Sequence, residues 1–205
     1  KKYKPHKTQR EVIDAGIKYF ADNDRGKLIL PCGTGKTLAS LWLMEELDAK
    51  KILVMVPSLA LMRQTLGEWS EQSNQEFDYI CLCSDSTVAE SDSIIENTYE
   101  MDVRVSTNVE EIIKFLSKKT RKRTVLFSTY QSSNVLSEAV LRANTKFDVG
   151  IFDEAHRTTG TNTGVWNTAI DDKKVPIKKR LFMTATPRII KESIKNTDRL
   201  QDLGI

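Results

Sequence analysis

Two stretches of the sequence decide the fold: Asp153-Glu154-Ala155-His156, which follows the apolar run 149–152, and Cys32-Gly33-Thr34-Gly35-Lys36-Thr37, which follows the apolar run 27–30. Adjacent carboxylates at the end of a buried strand are costly unless they serve a metal ion and a polarised water. A glycine-rich turn that ends in lysine and threonine can hold phosphates. The two stretches together predict a site that binds and hydrolyses a nucleoside triphosphate.

The composition limits the classes of protein to which the chain can belong. Of its 205 residues, 40% are apolar and 29% are charged, which suits one large α/β domain with a charged surface. No apolar run approaches the roughly 20 residues of a membrane span, and residues 1–7 contain no apolar segment of a signal peptide. The net charge of +3 is compatible with a polyanionic partner but does not indicate one. We therefore expect a cytoplasmic protein with no membrane partner.

The three cysteines are Cys32, Cys81 and Cys83, and an odd number cannot pair completely. Cys81 and Cys83 are two residues apart in a strand-like run, so they share a face and resemble half of a metal site. No second Cys or His pair completes that site. We interpret them as free thiols in a reducing compartment.

Apolar runs alternate with helical patterns along the chain. The strand candidates are 27–30, 51–56, 79–83, 124–128, 149–152 and 180–183, and the helix candidates are 9–21 with Thr8 as N-cap, 37–47, 59–71, 109–117 and 133–142. Most strand runs are continuously apolar, which is typical of strands buried on both faces of a parallel sheet. The sequence therefore predicts an α/β fold with a doubly wound, mostly parallel sheet flanked by helices.

Polar stretches separate these elements. Residues 84–102 are rich in Ser, Asp and Glu and predict an exposed connection, and residues 159–175 are loop-like. Thr107 and Asn108 are candidate caps for the helix that follows them. The basic patch 118–123 is either a solvated turn before a strand or a surface that contacts phosphate or a partner, and the sequence leaves both interpretations open.

The phosphate-loop pattern is complete except for its first glycine, whose place Leu30 takes. Gly33 and Gly35 can turn their amide N–H groups onto phosphate oxygens, and Cys32 and Thr34 belong to the same loop. Lys36 is expected to reach the β- and γ-phosphates, and the hydroxyl of Thr37 is expected to bind Mg²⁺. A helix that begins here would direct its positive end at the phosphates.

The acidic stretch supplies the other half of the chemistry. Asp153 is the candidate partner of Mg²⁺, through a water molecule, and Glu154 is the candidate base that orients the attacking water. His156 is either a histidine that makes a local hydrogen bond at a helix start or a relay to a partner domain.

These residues resemble the first RecA-like domain of the superfamily 2 DEAD/DEAH-box helicases and translocases, and the resemblance extends over nearly the whole chain. It implies ATP as the nucleotide, because Gln9 stands where the family keeps a glutamine that reads the adenine edge. It implies the relay role for His156. It also implies a second RecA-like domain, which is absent here, so we expect residues 1–205 to be one N-terminal RecA-like domain and a fragment of a longer protein. The missing initial methionine fits that expectation.

The same resemblance assigns residues to nucleic acid and to coupling. Residues 56–64 resemble a motif that faces the nucleic-acid backbone, with Ser58 as a phosphate contact or an ordinary helix cap. Residues 128–131 resemble another strand-contacting motif, in which Thr129 and Gln131 are candidate DNA contacts, and Thr107 belongs to a third turn at the same edge. Thr184 and Thr186, in the run 184–187, resemble the motif that links hydrolysis to movement.

The amino-acid sequences of residues 147–160 and 128–132 most resemble those of the motor subunits of restriction enzymes, of type ISP and type I. That similarity implies an ATP-dependent motor that moves on double-stranded DNA. The alternatives are a non-catalytic, nucleotide-dependent nucleic-acid-binding or scaffold module, and a phosphate-loop enzyme of another class such as a kinase. The intact Lys36, Thr37, Asp153 and Glu154 argue against the scaffold. Without an arginine finger from a second domain, we expect the chain alone to be a nearly inactive ATP hydrolase.

Overall fold

The computed structural model describes residues 1–31, 33–83, 105–154, 168, 170–185 and 201–203. The helices are α1 (Lys7–Asp22), α2 (Lys36–Glu46), α3 (Leu59–Gln72), α4 (Val109–Ser117) and α5 (Ser133–Arg142), and a short 3₁₀ helix (Tyr130–Ser132) precedes α5. The strands are β1 (Arg25–Ile29), β2 (Lys51–Val56), β3 (Phe77–Leu82), β4 (Val105–Ser106), β5 (Arg123–Thr129), β6 (Phe147–Phe152), β7 (Ile177–Thr184) and β8 (Gln201–Leu203).

The eight described strands form one sheet in the order β4-β3-β5-β2-β6-β7-β1-β8, and every pairing is parallel. Strand β7 lies between β1, which precedes the stretch 32–37, and β6, which precedes the stretch 153–156. The predicted doubly wound, mostly parallel sheet is therefore confirmed. Parallel strands place all their carboxyl ends at one edge of the sheet, which we call the carboxyl edge.

Alternate residues of the central strands point into two separate apolar cores, one on each face of the sheet. In β2, residues 52, 54 and 56 join the core that is covered by α1, α2 and α3. Residues 53 and 55 join the core that is covered by α4 and α5. Because both faces are buried, the strand is apolar at every position from 52 to 56, and this is why continuous apolar runs predicted strands here.

The predicted elements agree with the structure to within about three residues at each end, apart from one helix cap. Helix α1 begins at Lys7, and its N-cap is His6 rather than Thr8. The backbone N–H of Gln9 donates to Nδ1 of His6 at 3.4 Å, and the N–H of His6 donates to Oε1 of Gln9 at 3.1 Å. This reciprocal pair satisfies two N–H groups at the helix start, so the cap predicted at Thr8 is wrong.

Other predictions fall on the short or undescribed segments. Strand β4 has two residues and β8 has three, and the sequence predicted neither. The predicted exposed connection 84–102 lies outside the described residues, and so does most of the predicted loop 159–175. Asn108 caps α4 as predicted, because its Oδ1 accepts the N–H of Glu110 at 2.9 Å.

Candidate active site

The carboxyl edge carries all the described site residues. The phosphate loop follows β1, Thr184 ends β7, and Asp153 follows β6, so these three positions belong to neighbouring strands. On the other side of β6, Ser58 follows β2 and Thr129 ends β5. The order of the strands therefore divides the edge into a half suited to phosphates and a half that carries the predicted nucleic-acid residues, with the acidic pair at the boundary.

The phosphate loop is held open by two glycines in the left-handed conformation, Gly33 with φ of 78° and Gly35 with φ of 79°. Side chains are strained at such angles, so glycine is required for this course of the backbone. Gly35 is also the N-cap of α2 and makes no side-chain cap, which leaves the first N–H groups of the helix directed at the loop. An anion at this position would meet backbone donors and the positive end of a helix.

Lys36 connects the loop to the acidic pair. Its Nζ donates to the carbonyl oxygen of Leu30 at 3.3 Å and lies 3.6 Å from Oε1 of Glu154. The two side chains of this ion pair are only 11% and 16% exposed. The lysine that was predicted to reach the phosphates and the carboxylate that was predicted to orient water are therefore neighbours.

The acidic pair sits on a strained turn at the end of β6. The N–H of Asp153 still donates to the carbonyl of Met55 at 2.9 Å, as in a continuing strand, but Glu154 has a φ of +50°. For a residue with a side chain, this conformation costs on the order of 1–3 kcal/mol and persists only where its surroundings enforce it. One of those surroundings is the Asp153 carboxylate, whose Oδ1 accepts the N–H of Glu154 at 2.9 Å.

Tyr130 holds the other side of the same turn. Its hydroxyl donates to the backbone carbonyl of Asp153 at 2.8 Å. Burial raises the pKa of Tyr130 well above its usual value, and the charges of Asp153 and Glu154 raise it further, so the phenol keeps its proton as a donor. The sequence patterns assigned no role to Tyr130, and the signal that could have found it was an aromatic residue with a hydroxyl directly after a fully buried strand.

Gln9 contacts the phosphate loop from helix α1. Its side chain is 6% exposed, and its Nε2 donates to the carbonyl of Thr34 at 3.2 Å. Its Oε1 accepts the N–H of His6 in the helix cap. The amide therefore joins the start of α1 to the loop, and its predicted contact with adenine stays a prediction.

Thr37 is the second residue of α2, and its backbone carbonyl accepts two hydrogen bonds. Nε1 of Trp69 donates to that oxygen at 3.1 Å, and Oγ of Ser40 donates to it at 2.8 Å. Among the described residues there is no group of three or more His, Cys, Asp or Glu side chains that could hold a metal ion. One carboxylate and one hydroxyl beside a phosphate loop nevertheless fit Mg²⁺, which is bound by one or two carboxylates together with substrate phosphates and waters.

The predicted nucleic-acid residues differ in exposure. Thr107 and Gln131 are exposed, and Ser58 is half-buried and caps α3, where its Oγ accepts the N–H of Leu61 at 3.3 Å. Thr129 is fully buried, and its hydroxyl lies 3.0 Å from that of Ser132. The prediction that the Thr129 side chain contacts DNA does not agree with this burial, because the 3₁₀ turn folds back over the strand end and encloses the hydroxyl.

Thr184 lies between the phosphate loop and the acidic pair. It is paired in register with Ile29, and its carbonyl accepts the N–H of Leu30 at 3.1 Å. A shift of this strand end would therefore reach the loop directly, which is the position that a coupling residue requires. Three other predicted residues, Cys32, His156 and Thr186, lie outside the described residues.

The two remaining cysteines are structural. Cys81 and Cys83 are buried free thiols in the same core, as their spacing predicted. Burial raises the pKa of the Cys81 thiol to about 12, and the neighbouring Cys83 adds to the shift. A thiol with a pKa raised in this way, as that of Cys81 is, is a poor metal ligand and a poor nucleophile. In the described part of the chain, no helix is long and apolar enough to cross a membrane.

Comparison with known proteins places this geometry in context. Residues 2–189 match the model of the family ResIII, described as "Type III restriction enzyme, res subunit". A relative, the probable helicase A859L of African swine fever virus (isolate Tick/South Africa/Pretoriuskop Pr4/1996), is 30% identical over 185 residues, which are 88% of this chain and 19% of the relative. The chain thus spans about a fifth of the length of the curated relatives that it matches.

Two solved structures of restriction enzymes are also similar. One is a nuclease-deletion mutant of the type ISP restriction-modification enzyme LlaGI in complex with a DNA substrate mimic, with a TM-score of 0.78 and 28% identity over 98% of this chain and 20% of that chain. The other is the ATP-dependent type ISP enzyme LlaBIII bound to DNA, with a TM-score of 0.78 and 30% identity over 95% of this chain and 13% of that chain. Agreement over nearly the whole chain confirms the predicted RecA-like fold.

Proposed function

The chain belongs to the ResIII family, and from that membership we propose that it is the ATP-binding half of a motor that couples ATP hydrolysis to movement on DNA in a restriction or DNA-processing enzyme. The observation that carries the proposal is the 3.6 Å contact between Lys36 and Glu154. It joins a phosphate loop to a water-orienting carboxylate across the ends of two strands that are separated by β7. A module that only binds nucleotide has no need for this carboxylate.

The residues of the phosphate half have distinct roles in this proposal. The N–H groups around Gly33 and Gly35 and the ammonium of Lys36 bind the phosphates and stabilise the charge that develops on them. The hydroxyl of Thr37 and the carboxylate of Asp153 would hold Mg²⁺, which neutralises charge on the β- and γ-phosphates when it is bound. Glu154 orients the attacking water, and its neighbour Lys36, 3.6 Å away, holds the carboxylate beside the phosphate loop.

The other half of the carboxyl edge is proposed to face DNA. Ser58 with the first turn of α3, the exposed Gln131 and the exposed Thr107 lie at the ends of β2, β5 and β4. Helix starts and small polar side chains are common contacts to phosphate oxygens. The restriction enzymes LlaGI and LlaBIII were solved with a DNA substrate mimic and with DNA, which supports DNA as the track. That this DNA is double-stranded is part of the proposal.

A second RecA-like domain in the longer protein completes this proposal. It would supply the arginine finger and close over the nucleotide, and His156 is proposed to relay between the nucleotide site and that domain. The chain spans only 13–20% of the two restriction enzymes, which leaves ample length for such a domain in a protein of that kind.

The test is Glu154→Gln in the full-length protein, because the amide keeps the size of the side chain and removes the charge. We expect ATP binding, measured by calorimetry, to change less than threefold, and DNA-stimulated phosphate release to fall by on the order of 10²–10⁴. Glu11→Gln, at an exposed position of α1, is the matched control and should leave both unchanged. Undiminished hydrolysis in Glu154→Gln would remove this residue from the mechanism and with it the proposed role of the acidic pair.

A further inference from the structure

A cavity of about 510 Å³ opens at the edge of the sheet opposite to the carboxyl edge. It lies between the first residues of β2 and β5 and the last turns of α4 and α5. Five of its lining residues are the lysines Lys50, Lys51, Lys118, Lys119 and Lys122, and no aspartate or glutamate is among the described residues that line it. Five like charges around one concave surface repel one another, so the cavity favours an anion.

Lys51 and Lys119 present ammonium groups that no carboxylate neutralises among the described residues. Lys51 is half-buried, and its Nζ donates to the carbonyl of Leu116 and to Oγ1 of Thr145, both at 3.2 Å. An ammonium has three donors, so one N–H of Lys51 remains. Lys119 is exposed and forms no hydrogen bond or ion pair with another described residue.

The other three lysines each have one acidic partner outside the cavity lining. The pairs are Lys50–Asp48 at 2.6 Å, Lys118–Asp78 at 3.0 Å and Lys122–Glu76 at 2.7 Å. The lysine side chains in these pairs are between 54% and 60% exposed. Exposed pairs of this kind are worth roughly 0–1 kcal/mol, so a multivalent anion in the cavity can compete for the lysines.

The end of a helix explains only part of this cluster. Lys118 and Lys119 follow the last residue of α4, where cations are favourable because the carbonyls of the last turn are unsatisfied. Lys50 and Lys122 precede strands β2 and β5, where no helix end favours a cation, and yet both line the same cavity. Their convergence with the helix-end lysines is what a site for a ligand requires and a solvated turn does not.

We propose that this lysine cavity binds phosphate groups, either those of a free polyphosphate or those of a DNA backbone. Lysines act as separate point charges, which suits a ligand with many tetrahedrally arranged oxygens better than it suits the planar, two-oxygen carboxylate that arginine matches. The lining also includes Ser117 and Asn144, whose side chains are neutral donors for phosphate oxygens.

The lysine cavity is separate from the proposed motor site. Strand β2, which runs from Lys51 at the cavity to Val56 at the carboxyl edge, spans roughly 20 Å at about 3.3 Å per residue. A phosphate group in the cavity therefore touches neither the phosphate loop nor the residues proposed to face DNA. The proposal goes beyond the proposed function, and each can fail without the other.

The experiment uses the 205-residue chain in a Lys36→Ala background, which removes binding at the phosphate loop. In that background the double variant Lys50→Gln/Lys119→Gln is compared with the control Lys18→Gln/Lys173→Gln, whose lysines are exposed elsewhere and form no described side-chain pairs. Binding of inorganic tripolyphosphate without Mg²⁺ is measured by calorimetry. Binding of a 20-base-pair duplex is measured by fluorescence anisotropy as a function of salt.

The cavity variant should bind tripolyphosphate about tenfold more weakly than the control, since two charge-assisted contacts are lost. For the duplex, the slope of log affinity against log salt should become shallower by about 2 when two phosphate contacts are lost. A loss confined to tripolyphosphate identifies a free polyphosphate as the ligand, and a loss confined to the duplex identifies the DNA backbone. Equal binding of both ligands by the two variants overturns the proposal. So does a cavity-dependent affinity for poly-glutamate alone, which would point to an acidic protein segment.

Discussion

One hydroxyl group joins the two halves of the carboxyl edge. Tyr130 begins the 3₁₀ turn that carries the exposed Gln131, and its hydroxyl donates to the carbonyl of Asp153 at 2.8 Å. The same turn encloses the hydroxyl of Thr129. A displacement of the turn by a ligand at Gln131 is therefore transmitted to the backbone that positions Asp153 and Glu154.

Tyr130→Phe should uncouple the two halves while it preserves the packing of the ring. We expect the free energy of unfolding to fall by about 1–2 kcal/mol, because a buried carbonyl loses its donor. In the full-length protein, the stimulation of ATP hydrolysis by DNA should fall several-fold more than the basal rate. Tyr79→Phe, at an exposed position of β3, is the control. If basal and stimulated rates fall equally, the hydroxyl supports the fold without linking the two halves.

Alanine substitutions at the two glycines of the phosphate loop distinguish the cost of backbone strain from the cost of a steric clash. A Cβ at Gly35 would lie 2.3 Å from Nε2 of Gln9, whereas a Cβ at Gly33 would have no atom within 4 Å. Both positions have positive φ, so Gly33→Ala carries only the conformational strain, about 1 kcal/mol. Gly35→Ala carries the same strain and also breaks the contact of Gln9 with the loop.

We therefore expect Gly35→Ala to lower the free energy of unfolding by about 1 kcal/mol more than Gly33→Ala does, the worth of one hydrogen bond. Chemical denaturation of the chain measures both. Gly67→Ala, in the interior of α3 with no atom within 4 Å of the added Cβ, should instead be neutral or stabilising, since alanine favours helices. Equal losses for Gly33→Ala and Gly35→Ala would show that the Gln9 contact contributes nothing to stability.

At the scale of single elements, the sequence was a good guide where one physical cause dominated. Strand β2 was predicted with its exact limits, since a strand that is buried on both faces must be apolar throughout. Helices α4 and α5 were also predicted with their exact limits, because each has a clear helical pattern of apolar residues, and Asn108 stands directly before α4. The N-cap of α1 was mispredicted because a His–Gln capping pair does not follow the familiar Ser/Thr pattern.

Contacts between elements that lie far apart in the chain could not be predicted from local sequence patterns. The burial of Thr129 depends on how the following turn folds, and the contact of Gln9 with the phosphate loop joins residues 25 positions apart. The approach of Lys36 to Glu154 could be predicted, because both residues follow strands whose carboxyl ends lie at one edge of the sheet. Their roles in hydrolysis stay predictions. The position of Tyr130 against Asp153 could not be predicted, because it depends on β5 and β6 both lying beside β2 in the sheet.

The carboxylate of Asp148, on β6, forms hydrogen bonds at the amino ends of the neighbouring strands β2 and β7. One carboxylate oxygen accepts the N–H groups of Lys50 and Lys51, each at 2.9 Å, and the other accepts Nζ of Lys178 at 2.7 Å. Burial alone would raise the pKa of Asp148, but these hydrogen bonds outweigh it and lower the pKa below its usual value. Because the folded state favours the ionised form, the stabilisation is present above the usual pKa near 4 and is lost as the pH falls through the lowered value.

Asp148→Asn should accordingly destabilise the chain by about 1 kcal/mol at pH 7 and by less near pH 3, which lies below the usual pKa near 4 that the carboxyl has in the unfolded chain. Urea denaturation of both proteins at several pH values measures this difference. Asp22→Asn, an exposed change at the end of α1, corrects for general effects of charge. A difference that stays constant from pH 7 to pH 3 would contradict the lowered pKa.

The order of strands in the whole molecule explains why its two proposed ligands need not compete. Strand β6 is central, with β7, β1 and β8 on one side and β2, β5, β3 and β4 on the other. Among the described residues, the acidic pair lies where the proposed nucleotide half meets the proposed DNA half, with Thr184 on one side of it and Tyr130 on the other. A motor requires this arrangement, because the occupancy of one half must be communicated to the other.

The nucleotide half is where a second RecA-like domain is proposed to close. Catalysis of phosphoryl transfer depends on positioning and charge stabilisation, and an arginine finger contributes on the order of 10³–10⁵ in rate in related enzymes. The described residues offer Lys36 as the cation beside Glu154.

We therefore expect the 205-residue chain to bind ATP weakly and to release phosphate at least about 10³ times more slowly than the full-length protein with DNA. Single-turnover phosphate release measures both, and Lys36→Ala sets the background from contaminating ATPases. Turnover by the chain alone at the rate of the full-length protein would show that these residues complete the active site without a second domain.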